Sequence, residues 1–341
     1  MQNSIAISTG PDTHLDHLGV LADLLEIPLI VTEEKTFHLA KKFYPNLKVF
    51  LKSPNDLSLD FIAKFDRLLQ CGQFFALDLQ PLIELLYRKQ IRILFCPHGN
   101  SDKGHLTNKL PPQDVAFVYG DQMKNIFSKK EVSYNSLITT GNYRFPYYRK
   151  NQTFYDQWAD IEIFSKLCPK RKTLLYAPTW NDGENLTTFF SEGGRVIEEL
   201  IRKFNLIVKL HPLLEEHHPA EVAYLLSHYE RTSHLLILQK FPPIYPLLAR
   251  TSAYLGDFSS IGYDFLSFDR PLFFLNPSNL SLFLHNCGMT IPPNENICTF
   301  IENNWHENQN AFRHSRRKTY RYAFGEEQML SKIKNEILSK S

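Results

Sequence analysis

The 341-residue sequence has no Cys-x-x-Cys pair, and its five cysteines (Cys71, Cys96, Cys168, Cys287 and Cys298) are odd in number and widely spread. That argues against a disulfide framework or a structural zinc site and points to a reducing compartment. No stretch approaches the ~18 consecutive apolar residues of a membrane span. The opening Met-Gln-Asn-Ser-Ile-Ala-Ile-Ser lacks the basic n-region and long apolar h-region of a signal peptide. A cytosolic protein is expected, attached to a membrane only peripherally if at all. The net charge of +2 argues neither for nor against nucleic acid, so any basic partner site must be local; no nucleic-acid partner is expected. Internal repeats, low-complexity segments and disordered tails are also missing.

What is present is a regular alternation. Strands are expected at 5–8, 28–31, 49–51, 74–77, 91–95, 115–119 and 137–139, then at 173–176, 206–210, 235–238, 253–255 and 272–275. Helical patterns fall between them, as at 60–69, 81–88, 195–203 and 244–251. Alternation of this kind predicts α/β architecture with parallel sheets covered on both faces, and the strands are too many for one doubly wound sheet. The aromatic and charged stretch Tyr143 to Arg171 interrupts the pattern and marks a boundary. Two Rossmann-like lobes facing each other across a cleft follow, over residues 1–150 and 170–320, with a C-terminal helix over 321–341.

Polar clusters follow several of these strands, where open α/β sheets bind ligands. Pro97-His98-Gly99-Asn100-Ser101-Asp102-Lys103-Gly104-His105 reads as a loop that approaches a ligand, the alternative being a solvated turn. His98 is its natural general base, since an imidazole near pKa ~6.5 accepts a hydroxyl proton at neutral pH. Tyr176-Ala177-Pro178-Thr179-Trp180-Asn181 ends a strand, with Thr179 placed to hydrogen-bond a ligand and Trp180 to wall it, or with Trp180 as plain core.

In Lys209-Leu210-His211-Pro212, alternation puts Lys209 and His211 on one face, where a buried lysine takes an anion as partner, the alternative being that both reach solvent. In Gly256-Asp257-Phe258-Ser259-Ser260-Ile261-Gly262-Tyr263-Asp264 the serines head a short helix, where they cap it or bind phosphate. Asp264 is a ribose partner or a solvated helix residue. His14, His17, His217 and His218 lack a clear set of thiolate or carboxylate partners at metal-ligand spacing and read as surface histidines, the loop after the first strand being the one that could touch an acceptor; no metal and no cofactor is expected. Arg313, Arg316, Arg317, Lys318 and Arg321, interleaved with Tyr320, Tyr322 and Phe324, form a basic aromatic run that either meets a membrane or polyanion or is a solvated face.

Taken in order, Pro97-His98-Gly99 with Lys103, Thr140-Gly141-Asn142-Tyr143-Arg144, Ala177-Pro178-Thr179-Trp180, Lys209-Leu210-His211-Pro212, and Asp257-Phe258-Ser259-Ser260 through Asp264 to Arg270-Pro271 resemble the CDP-glycerol:poly(glycerophosphate) glycerophosphotransferase family of teichoic-acid-type polymer synthesis. The sequence departs from that pattern at Gly256, where the family has Thr or Ser, and at Phe258, Asn181 and Tyr143. The resemblance implies a GT-B fold and a transferase that moves glycerol phosphate from CDP-glycerol to a hydroxyl, releasing CMP. It implies that His98 and His211 are catalytic. Thr179, Trp180, Lys209, Asp257, Ser259, Ser260 and Asp264 are then the donor-binding set, with Lys103 and Arg144 as phosphate contacts. The acceptor of such enzymes is lipid-linked at the inner face of the cytoplasmic membrane. A GT-B glycosyltransferase or epimerase using a UDP- or CMP-sugar, and a non-catalytic nucleotide-sugar-binding protein, are the alternatives.

Overall fold

The structure, a computed structural model, describes residues 3–72, 75–102, 110–180, 187–276 and 282–340. The chain forms two compact units, Met1–Lys150 with Arg321–Ser341, and Asn151–Tyr320. Strands of the first unit are β1 (Ser4–Ser8), β2 (Leu29–Val31), β3 (Val49–Leu51), β4 (Arg67–Gln70), β5 (Arg92–Phe95), β6 (Val115–Val118) and β7 (Leu137–Thr139). They form one sheet in the order β3-β2-β1-β4-β5-β6-β7, every pairing parallel. The second unit contributes β8 (Thr173–Ala177), β9 (Asn205–Lys209), β10 (Leu235–Leu238), β11 (Ala253–Gly256), β12 (Leu272–Leu275) and β13 (Met289–Ile291). These pair in parallel in the order β10-β9-β8-β11-β12-β13.

Both sheets are doubly wound: the first strand of each unit lies inside its sheet, and the strand order reverses beside it. Reversal falls between β1 and β4 in one sheet and between β8 and β11 in the other, and the crevice outside those carboxyl ends is where such sheets take ligands. Central strands are buried along their whole length, β1, β6, β8, β9, β11 and β12 among them, as expected where helices cover both faces. Ile5, Ile7, Leu68, Ile83 and Ile93 share one core, and Leu174, Val196, Leu206, Val208, Leu255 and Phe273 another. Each such side chain contributes ~1.5–3 kcal/mol by leaving water.

Two elements differ from the sequence reading. The helix expected over 60–69 is one short turn, Leu59–Ile62, after which Arg67–Gln70 enters the sheet as β4. The strand expected at 74–77 is replaced by a π-helical turn, Phe75–Leu79, leading into the helix Gln80–Tyr87. The hydrophobics Phe61, Ile62, Phe65, Leu68 and Leu69 have helical spacing in sequence, yet Leu68 and Leu69 are buried on a strand. A short apolar run inside a sheet carries no period of its own.

One member of the basic run lies otherwise than expected. The helix Arg313–Phe324 buries Arg316 completely, with its Nε 2.8 Å from Asp269 and its other nitrogens donating to the carbonyls of Asn308 and Gln309. Arg313 and Arg317 pair with the same Asp269 carboxylate. The end of this helix packs on the first unit: Phe324 is 1% exposed, Tyr322 accepts from Asn125, and Ala323 lies where a side chain at Gly120 would be.

Candidate functional site

In the second unit, the loops after β8 and β11 are tied together by one carboxylate. Asp257 is fully buried and accepts hydrogen bonds from the Thr179 N–H (2.8 Å), the Thr188 N–H and hydroxyl (both 3.0 Å) and the Phe258 N–H (2.6 Å). Burial holds its carboxyl above the usual 3.8, and these donors offset only part of that rise. Its carboxylate is thus occupied by protein donors, so Asp257 shapes the site rather than presenting an oxygen to a ligand. The carbonyl of the same residue meets His285 Nε2 at 2.9 Å, and that ring packs against Phe274 and Phe258. His285 had no motif around it to mark it in the sequence.

Gly256 has a local reason. A Cβ there would fall 2.0 Å from the Tyr254 hydroxyl, which lies 3.5 Å from the Ala177 carbonyl. The phenol fills the space that a Thr or Ser side chain would need. Ser259 is nearly buried and its Oγ accepts from the Ile261 N–H; Ser260 opens the helix Ile261–Phe265 without a side-chain cap. Asp264 is neither solvated nor at the surface: it is 4% exposed and accepts from the Tyr245 hydroxyl at 3.1 Å.

β9 ends at Lys209, whose Nζ donates to the Phe241 carbonyl at 3.2 Å while the residue is 8% exposed. His211 does not continue that strand face. Pro212 lacks an N–H and cannot extend the ladder, so the chain turns and His211 becomes the N-cap of the helix Pro212–His217. Its Nδ1 accepts from the Leu213 N–H at 3.2 Å. An acceptor at Nδ1 in a neutral imidazole fixes the proton on Nε2, making that nitrogen the donor. Trp180 stacks on this ring, 5.8 Å between centroids at 22°.

In the first unit, His98 follows β5 and is half-buried, and Gly99 turns the chain behind it at φ 143°, a conformation side chains disfavour. Beside it stands His14, its ring centroid 5.0 Å away. His17 is 8% exposed, so the surface reading fails for it, while His14 is half-buried. The Tyr119 hydroxyl donates to the Pro97 carbonyl (3.0 Å) and lies 2.8 Å from His17 Nδ1. A phenol has one hydrogen, so His17 Nδ1 is the donor in the second contact.

Arg144 was expected to meet phosphate, but it is 2% exposed and bonds Asp16 at 2.9 Å. It braces the turn that carries His14 and His17. Gly141 lies at φ 63°, and a Cβ there would fall 3.2 Å from the Phe324 carbonyl oxygen. Lys103 lies outside the described residues. Among the described residues no group of histidine, cysteine and carboxylate side chains is arranged to hold a metal ion, and no helix is long and apolar enough to cross a membrane.

Burial first, then the Arg144 charge, then His98 and His14, hold His17 well below its usual 6.5. Below 6.5 the unfolded chain therefore takes up a proton that the folded one refuses, and stability falls as pH drops through that window. Thermal melts between about pH 7.5 and pH 5 should show this loss, and His17→Gln should flatten it. Parallel curves for the two proteins across the window exclude His17 as the cause.

A family model described as CDP-glycerol:poly(glycerophosphate) glycerophosphotransferase matches residues 99–291. The teichoic acid glycerol-phosphate primase of Bacillus spizizenii is 30% identical over 117 residues, which are 34% of this chain and 28% of that protein, so the match spans less than a third of the relative. Among solved structures, a form of the wall teichoic acid polymerase TagF soaked with CDPG is 13% identical, covers 99% of this chain and 89% of that one, and superposes with a TM-score of 0.66. A UDP-GlcNAc 2-epimerase from Neisseria meningitidis, bound to UDP-GlcNAc, is 16% identical over 99% of both chains with a TM-score of 0.58. Both likenesses are of fold, and the fold is GT-B-like: two α/β units, each with one parallel sheet.

Proposed function

The chain belongs to the CDP-glycerol:poly(glycerophosphate) glycerophosphotransferase family, matched over more than half its length, and on that premise we propose that it transfers glycerol phosphate from CDP-glycerol to an acceptor hydroxyl, releasing CMP. The carrying observation is that, within the second unit, the motif stretches after β8 and β11 meet at the strand-order reversal of the sheet, where Asp257 binds one loop to the other.

His98 takes the hydroxyl proton as the acceptor oxygen attacks the phosphorus that bears glycerol. The new O–P bond forms as the bond from that phosphorus to the bridging oxygen breaks, and the electron pair leaves with CMP. His211, with its proton on Nε2, donates to a phosphate oxygen, and Lys209 supplies positive charge at the end of β9. The Ser259 and Ser260 hydroxyls complete the phosphate contacts, and Thr179 and Trp180 seat the nucleotide. Asp257 and Asp264, both turned into the protein, hold these loops in register.

The acceptor is read as lipid-linked, at the inner face of the cytoplasmic membrane and reached by reversible contact. With Arg316 buried and its neighbours paired to Asp269, that contact is assigned to Leu82, Leu85 and Leu86, exposed with Arg88 on and beside the helix Gln80–Tyr87.

Incubation with CDP-glycerol, UDP-GlcNAc and CMP-linked sugars, with a glycerol-phosphate primer either free or held on anionic vesicles, tests the whole reading. CMP release from CDP-glycerol alone, faster with the vesicle-held primer, is the expected result. Turnover of UDP-GlcNAc in its place establishes the epimerase-like alternative. Stabilisation by a donor with no turnover on either primer establishes a binding protein.

A further inference from the structure

His14 is the feature of the first unit that the family motifs leave without a use. It sits in the turn Asp12–Asp16 directly after β1, at the edge of the strand-order reversal, and reaches the His98 ring across the end of β4. The contact is not a chance of one rotamer. A Cβ on Gly10 would fall 2.5 Å from His14 Cε1 and 2.6 Å from Nδ1, so the missing side chain at Gly10 is the space the imidazole occupies.

The turn is fixed on several sides. Asp12 pairs with Lys35, Asp16 with Arg144 and with the Tyr44 hydroxyl, and the Tyr143 hydroxyl donates to the His17 carbonyl. One further group belongs to both loops: the Tyr119 hydroxyl bonds His17 on the His14 turn and Pro97 on the His98 loop. A shift of either loop therefore moves the other.

We propose that His14 is a positioning residue for His98: its ring, seated over Gly10, sets the orientation of the neighbouring imidazole toward the acceptor hydroxyl. The assignment rests on the reading of His98 as the base. On this proposal an aromatic ring at this place does the work, through packing, and the acceptor hydroxyl comes to the crevice at the reversal between β1 and β4, where such sheets take ligands.

The test compares His14→Ala, His14→Phe and Gly10→Ala with the intact enzyme, using CDP-glycerol and the glycerol-phosphate primer, each variant checked by thermal melting. His98→Ala serves as the reference. In His14→Ala and Gly10→Ala, kcat should fall toward the ~100-fold that a misplaced group costs, with the donor KM unchanged. His14→Phe should recover most of the loss. Full activity in His14→Ala, equal inactivity of His14→Ala and His14→Phe, or a loss confined to the donor KM each overturns the proposal. Should Gly10→Ala fail to fold, the His14 pair decides alone. If His98→Ala itself keeps its turnover, the base assignment beneath the proposal fails; if only the His14 variants behave as the intact enzyme, the failure is of His14 alone.

Discussion

Replacing His98 by alanine should lower the turnover of CDP-glycerol with its acceptor by about 10²–10⁴-fold, the span a positioned general base contributes. Donor-induced stabilisation of the protein should survive, because the donor contacts are assigned to residues of the second unit. Gly99→Ala should reproduce part of the loss. At φ 143° a Cβ is strained, and relaxing that strain turns the backbone directly after His98. Tyr119→Phe should act in the same direction, since its hydroxyl holds the Pro97 carbonyl. The pattern to look for is a fall in kcat with an unchanged donor KM, the mark of an interaction made in the transition state. Near-normal turnover of His98→Ala with both substrates removes the base assignment.

The sequence was most legible where an apolar run met a polar cluster. Leu206-Ile207-Val208 before Lys209, and Ala253-Tyr254-Leu255 before Asp257, are strands in the structure, and each puts its polar cluster at a carboxyl end. It was less legible wherever a role depends on which neighbour a side chain finds. Nothing in Thr13-His14-Leu15-Asp16-His17 announces that one histidine lies against His98 and the other against Tyr119. Those partners are 84 and 102 residues away, and strand order alone brings them together.

The same holds for charge. Arg144 looked like a phosphate ligand and Arg316 like a surface cation because a sequence does not show where carboxylates sit. Asp16 and Asp269 take them up in the fold. Local rules could have found one detail: Pro212 forbids His211 from continuing β9 and makes it a helix cap.

The second large effect is expected at Asp257. Alanine there would strand the N–H groups of Thr179, Thr188 and Phe258 and the Thr188 hydroxyl in a place without solvent access, since Asp257 is 0% exposed. Each unsatisfied buried group costs ~1–3 kcal/mol, and such losses in one network do not add. A net loss of at least ~3 kcal/mol is expected, a sizeable share of an ordinary stability of ~5–15 kcal/mol. In a domain of this size it lowers the melting temperature by about 6–12 °C.

Asn is not a remedy, because its amide nitrogen would face N–H donors where the carboxylate has a second acceptor. Both variants should lose stabilisation by CDP-glycerol, as the loops after β8 and β11 no longer share an anchor. Thr188→Val, which removes one hydroxyl and keeps the backbone donors, should cost far less in both respects. An Asp257→Ala protein that melts as the wild type and still gains stability from the donor would show that the two loops hold their places without this carboxylate. The donor site would then need another organiser, and His285, on the Asp257 carbonyl at 2.9 Å, is the next group to change.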